Sequence, residues 1–225
     1  MANIGVTPAH CQRPARPMDV RPASFFRRDT LTVAQDLLGD RLVRNREEGG
    51  RCVGRIVETE AYTQDDPAFH GWNLYDPETE SVRREGRAAD LFAAPGQGYV
   101  YLIYGMHWLL NVVTEPEGTG GAVLIRAVEP VEGTDVMYDR RGGHRREVDL
   151  TNGPGKLSEA FDVDDAFHGT SLTGPPLYFA AGERSPDETV ATSSRIGITK
   201  GVDRPWRFFV EEHPFVSPAT PSDRA

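Results

Sequence analysis

The chain has no apolar run approaching the roughly 18 consecutive residues that a membrane helix requires. Residues 1–22, rich in Pro, Arg and Ala, lack the apolar core of a secretory signal, so the cytoplasm is the expected compartment. Cysteine is nearly absent: Cys11 and Cys52 are two isolated thiols, matching neither a zinc site nor a disulfide framework. The six histidines show no H-x-x-x-H or H-E-x-x-H spacing, and no metal is expected. Lysine is scarce too, since Lys156 and Lys200 are the only two among 25 basic residues and leave 23 arginines. The net charge of −9 speaks against a simple nucleic-acid binder, whose footprint is usually basic. An arginine-rich face on an acidic body remains compatible with a DNA partner.

With 225 residues the chain can build one substantial core, and 23 glycines and 17 prolines point to a loop-rich, strand-rich fold rather than a helical bundle. Residues 1–22 and 218–225 are predicted as flexible tails around one domain, 23–217. Asp29 resembles an N-cap for a helix through Leu38, closed by Gly39. Arg41–Arg44 reads as a short strand, 47–50 as a turn, and Val53–Tyr62 as a central strand. Residues 63–97 have no clear period, and a loop that long inside a compact domain is functional or disordered. Gly98–Val113 reads as a hairpin turning at Gly105, and Ala122–Val128 as a strand broken by Pro130. Helices are predicted over 132–141 and 156–161, with closing strands over Ser193–Ile198 and Trp206–Val210. Arg141, His144, Arg145 and Arg146 form a basic cluster of candidate phosphate contacts.

Two stretches carry chemistry. Alternation along a strand puts Glu58, Glu60 and Tyr62 on one face, with Val57, Thr59 and Ala61 on the other. The plain reading is an edge strand with a solvated polar face. The sharper one is that a carboxylate in an apolar wall is costly unless paired or used. In the hairpin, Tyr104 stands beside Gly105 at the turn, where a core aromatic would be wasted. It either packs back on the sheet or protrudes like the wedges that minor-groove proteins push between bases.

The motifs Arg55-Ile-Val-Glu-Thr-Glu-Ala-Tyr62, Tyr99-Val-Tyr-Leu-Ile-Tyr-Gly-Met106 with Asn111, and Val123-Leu-Ile-Arg-Ala-Val-Glu-Pro130 resemble the alkyladenine (3-methyladenine) DNA glycosylase family. Asn152-Gly-Pro-Gly-Lys-Leu157, Arg195-Ile-Gly-Ile198 and Arg207-Phe-Phe-Val210 continue the resemblance in order, which spans about Phe25 to Ser217. It implies an α+β domain on a curved antiparallel sheet with flanking helices and a protruding hairpin. The implied activity is monofunctional removal of damaged purines flipped out of double-stranded DNA, without metal, cofactor or covalent enzyme intermediate. Carried across, Glu60 would be the general base for water, held with help from Arg126 and the Ile196 carbonyl. Tyr62, His70 and Tyr101 would line the pocket, Asn111 would face a guanine amino group, and Tyr104 would fill the gap in the duplex. The region Arg83–Asp90 departs from the family's usual Arg-Thr-Pro-Arg-Asn-like stretch.

Each of these residues has a plainer reading. Glu58 shares the face of Glu60 and could be the base or a partner to an arginine, and Arg126 a buried ion-pair partner. His70 could be a surface histidine, and Asn111 could be satisfied by backbone. Two other functions compete: a damage-binding protein that has lost turnover, and a carbohydrate hydrolase using Glu58 and Glu60 as its acid pair. Two acids side by side on one strand cannot flank a sugar from opposite faces. A monomer is the simplest expectation.

Overall fold

A strand that must hold two carboxylates in an apolar setting needs neighbours on both edges, and the fold supplies them. The computed structural model describes residues 18–47, 50–143 and 146–222. The elements begin with the short helices α1 (Ala23–Phe26) and α2 (Thr30–Asp36), then β1 (Arg41–Asn45) and β2 (Arg51–Thr63). A small hairpin follows, β3 (Tyr75–Asp76) with β4 (Ser81–Val82), then the large hairpin β5 (Gly98–Ile103) and β6 (His107–Val113). Next come β7 (Gly121–Glu132), α3 (Thr134–Arg140), α4 (Pro154–Phe161), β8 (Thr173–Gly174), β9 (Leu177–Ala180), β10 (Val190–Ser193) and β11 (Arg207–Val210).

Nine strands form one strongly curled antiparallel sheet in the order β5-β6-β7-β2-β1-β9-β8, with β11 joining β2 to β10. The fold class is thus the α+β arrangement expected. β2 is central rather than an edge: β7 runs along one side, while β1 and then β11 share the other. The polar-edge reading of Glu58 and Glu60 therefore fails, and both acids are fully buried. One face of the sheet carries the main core, where Phe26, Val33, Leu37, Ile56, Ile125, Leu157 and Phe161 pack together under the helices. Asp29 caps α2 as expected, accepting from the Thr32 N–H at 2.8 Å.

The β2–β7 register slips twice around Glu58. Ile56 faces Val128, Glu58 faces Ala127 and Thr59 faces Ile125, so Val57 and then Arg126 fall outside one-to-one pairing. Such bulges bend a strand and re-aim its side chains. Val57 packs with Ala127, Val210 and Phe215 instead of the helix-side core that holds Ala61.

Several predicted boundaries change. β7 continues through Pro130 to Glu132, because Pro130 lies opposite Gly54 beside another register shift, where a missing ladder donor is tolerated. The strand expected over Ser193–Ile198 ends at Ser193 and the chain turns away, with Gly197 at φ +74°. Residues assigned to the tails also join the fold: Val20 bridges Ala180, and the Ser222 N–H donates to the Arg195 carbonyl at 2.9 Å. Residues 1–17, 48–49, 144–145 and 223–225 lie outside the described residues, taking with them much of the N-terminal tail, part of the 47–50 turn and half of the basic cluster.

Candidate active site

From Glu58 to Tyr62 the expected alternation holds. The Thr59 hydroxyl donates to the Ala34 carbonyl on the helix side at 2.8 Å, while Glu58, Glu60 and Tyr62 turn to the other face. There Glu60 is held by three groups. The Tyr62 hydroxyl donates to Oε2 at 2.8 Å, the Ile196 N–H donates to Oε1 at 2.7 Å, and Arg126 Nη1 lies 3.3 Å from Oε2. Ile196, whose carbonyl the family resemblance assigns to holding the water, meets Glu60 through its N–H.

Glu58 sits differently. Its Oε1 accepts from Arg126 Nε at 2.9 Å, Arg207 Nε at 2.7 Å and the Ser217 hydroxyl at 2.8 Å, while Oε2 accepts from the Ser217 N–H at 2.7 Å. Burial pushes the Glu58 carboxyl up, but Arg126, Arg207 and the Ser217 N–H outweigh it and hold the group below the usual carboxylate range. The paired-acid reading for a sugar hydrolase therefore loses one of its acids to the scaffold.

Tyr62, Arg126 and Ile196 form the floor of a cavity of about 920 Å³, with Glu60 one layer beneath. His70, Tyr101 and Asn111 line the same cavity, and Tyr104 stands at its mouth, so all the predicted pocket residues converge. The His70 ring packs edge-on to Tyr101 with centroids 4.3 Å apart, and Tyr99 lies 5.7 Å from Tyr101. Burial pushes the Tyr62 and Tyr101 phenols up and that of Tyr99 to about 12, leaving all three protonated near neutrality. It pushes His70 down, towards the neutral ring. Asn111 spends one amide hydrogen on the Tyr99 carbonyl at 3.1 Å.

The hairpin tip follows from its turn. Tyr104 and Gly105 both have positive φ, +54° and +69°, the combination that suits the right-handed twist of paired strands. That turn throws the Tyr104 side chain outward, 85% exposed, with Met106 at 70% and Leu102 at 45% beside it.

The family model for methylpurine-DNA glycosylase (MPG) matches residues 24–214. The chain belongs to this family. It is 65% identical over 206 residues to a protein of Salinibacter ruber named "Putative 3-methyladenine DNA glycosylase", covering 91% of this chain and 100% of the relative. Proteins of the same name from Chlorobaculum parvum and Carboxydothermus hydrogenoformans are 42% and 44% identical. Each match covers 87% of this chain, with 89% and 97% of the respective relatives.

Against this family background, two features escape a reading of the sequence. Behind Tyr62 lies Arg195, fully buried, its guanidinium carbon 4.5 Å from the ring centroid. It is paired with buried Asp66 and donates to the Ala61 carbonyl at 2.9 Å and the Gly201 carbonyl at 3.2 Å. One side chain thus ties down both the strand and the loop that hold Glu60. The only sequence signal was the place of Arg195 in a family motif. The second feature is how the stretch Arg83–Asp90 is fastened, to the large hairpin and to the segment that follows α4. Arg87 donates to the Val100 carbonyl, and Asp90 lies 2.9 Å from His168 Nε2. The start of α4, Gly153–Lys156, and Arg141 complete the cavity rim.

Proposed function

We propose that this protein is a DNA glycosylase that flips an alkylated or deaminated purine out of duplex DNA and hydrolyses its N-glycosidic bond. The observation that carries the reading is the joint placement of Glu60, Tyr62, Arg126 and Ile196 under an aromatic cavity beside an exposed Tyr104. A flipped base stacks between Tyr62, His70 and Tyr101, each such contact being worth about 1–3 kcal/mol. Tyr104 fills the vacated stack, offsetting the few kcal/mol that extrusion costs. Asn111, with one amide hydrogen already used, offers its remaining polar edge to the base.

In the reaction the C1′–N bond breaks, its electron pair leaves with the purine, and a water oxygen bonds to C1′. Glu60 takes that water's proton, with Arg126 and Ile196 placing the water. Positive charge grows on the sugar in the transition state, where the carboxylate stabilises it. A cationic alkylated purine leaves readily by this route. The neutral phenols around the cavity are hydrogen-bond donors, not acids strong enough to protonate a neutral lesion fully.

Double-stranded DNA is the proposed partner, engaged by a monomer. Among the described residues no helix is long and apolar enough to cross a membrane. The test is single-turnover excision on duplexes carrying ethenoadenine, hypoxanthine or 7-methylguanine across a salt series. Abasic sites revealed by alkaline cleavage would support the proposal. Lesion binding without excision would replace it with a damage-binding function, and no binding at any salt would remove DNA from the account.

A further inference from the structure

In and just beneath the cavity floor lie four charged side chains with almost no exposure: Arg126, which lines the cavity, and Glu58, Glu60 and Arg207. The proposed chemistry uses only Glu60 and Arg126. Glu58 lines no part of the cavity, yet every oxygen of its carboxylate is engaged. Arg126 is clamped from both ends, Nε on Glu58 at 2.9 Å and Nη1 towards Glu60 at 3.3 Å. It leaves β7 at the bulge, between the paired residues Ile125 and Ala127, and itself has no one-to-one partner on β2. Arg207 lies opposite Glu60 in the β2–β11 register but gives its Nε to Glu58 at 2.7 Å.

We propose that Glu58 is a positioning residue for base excision, aiming Arg126 at the floor and balancing the second guanidinium, Arg207, so that the buried array carries no net charge. This rests on the glycosylase reading above. Two carboxylates and two guanidinium groups sum to zero. Without the Glu58 charge, a net positive charge would lie next to a sugar that itself becomes positive, in a setting where charges interact strongly. The C-terminal segment belongs to the device, because Ser217 supplies two of the hydrogen bonds on Glu58. The low carboxyl range of Glu58 agrees with an ion kept charged.

The test uses the full chain and single-turnover excision of 7-methylguanine from duplex DNA, with lesion-duplex affinity measured in parallel. Failure of the wild type to excise would count against the glycosylase reading itself; the variants address Glu58. E58Q is expected to slow excision about 10–100-fold while changing affinity less than about threefold. The charge-balanced double variant E58Q/R207M should recover most of the lost rate, which a packing role would not allow. Wild-type rate in E58Q, or a double variant slower than the single, would overturn the proposal. Should E58Q not fold, E58Q/R207M carries the test, and a loss of about 100-fold in it would overturn the proposal.

Discussion

Asp66→Ala isolates the buried layer behind Tyr62. Both members of the Asp66–Arg195 pair are fully buried, and Asp66 also accepts from the Ala68 N–H at 3.1 Å. Removing the carboxylate leaves a guanidinium with the Ala61 and Gly201 carbonyls but no counter-charge. Breaking a buried pair in this way costs about 3–5 kcal/mol, a large part of the roughly 5–15 kcal/mol that holds a domain together. For a chain of this size each kcal/mol lowers Tm by about 2–4 °C, so the expected fall is about 6–20 °C. Calorimetry and urea unfolding at unchanged m-value measure it. The internal control is Asp36→Ala, which breaks a partly exposed pair with Arg28 and should cost no more than about 1 kcal/mol. Replacing both partners, Asp66→Leu with Arg195→Met, should destabilise less than Asp66→Ala, because no unpaired charge stays inside. A fall of less than about 3 °C in Asp66→Ala, or one no larger than the control, would show that the Asp66 charge is not what holds Arg195 in the core.

Three further outcomes are expected. Tyr104→Ala should change stability by no more than about 0.5 kcal/mol, since the side chain is 85% exposed, yet weaken lesion-duplex binding about tenfold or more in a fluorescence titration. Gly201→Ala should cost about 2 kcal/mol or more in urea unfolding, because φ is +60° and the added Cβ would lie 2.6 Å from Asp66 Oδ1. Burial pushes His213 down, with Glu129 raising it and the nearby Arg55 lowering it again. With the folded value below the unfolded one of about 6.5, the unfolded chain takes up the proton first. Stability is then full above that pH, falls as pH drops below it, and levels once the folded histidine is protonated. Urea midpoints from pH 8 to 5 should fall less steeply in His213→Gln, and identical slopes would remove the histidine from the pH response.

How much the sequence disclosed depended on the range of the interactions. β2 and the large hairpin were legible because alternation and β-branched content act between near neighbours, and so was the capped start of α2. Pro130 misled because its cost depends on what lies opposite, and Gly54 is 76 positions earlier in the chain. The strand predicted through Ile198 stops early because Arg195 turns inward to Asp66 and the Ile196 N–H turns to Glu60, contacts spanning 129 and 136 positions. Residue type alone could not separate the two acids of β2. Glu58 became a scaffold ion only when Arg207 and Ser217 arrived from distant segments. The pocket residues were named through family resemblance, whereas the exposed tip had a physical signal of its own, a tyrosine beside a turn glycine.

Glu60 is proposed to activate water beneath the aromatic cavity. The most direct test of this role compares wild type with Glu60→Gln in single-turnover excision of 7-methylguanine from duplex DNA, with folding checked by circular dichroism. Glutamine keeps an oxygen acceptor for the Tyr62 hydroxyl or the Ile196 N–H but takes no proton. Excision by the wild type, a loss of at least about 100-fold in the variant, and lesion binding retained in both are expected. Excision by Glu60→Gln at the wild-type rate would contradict that role.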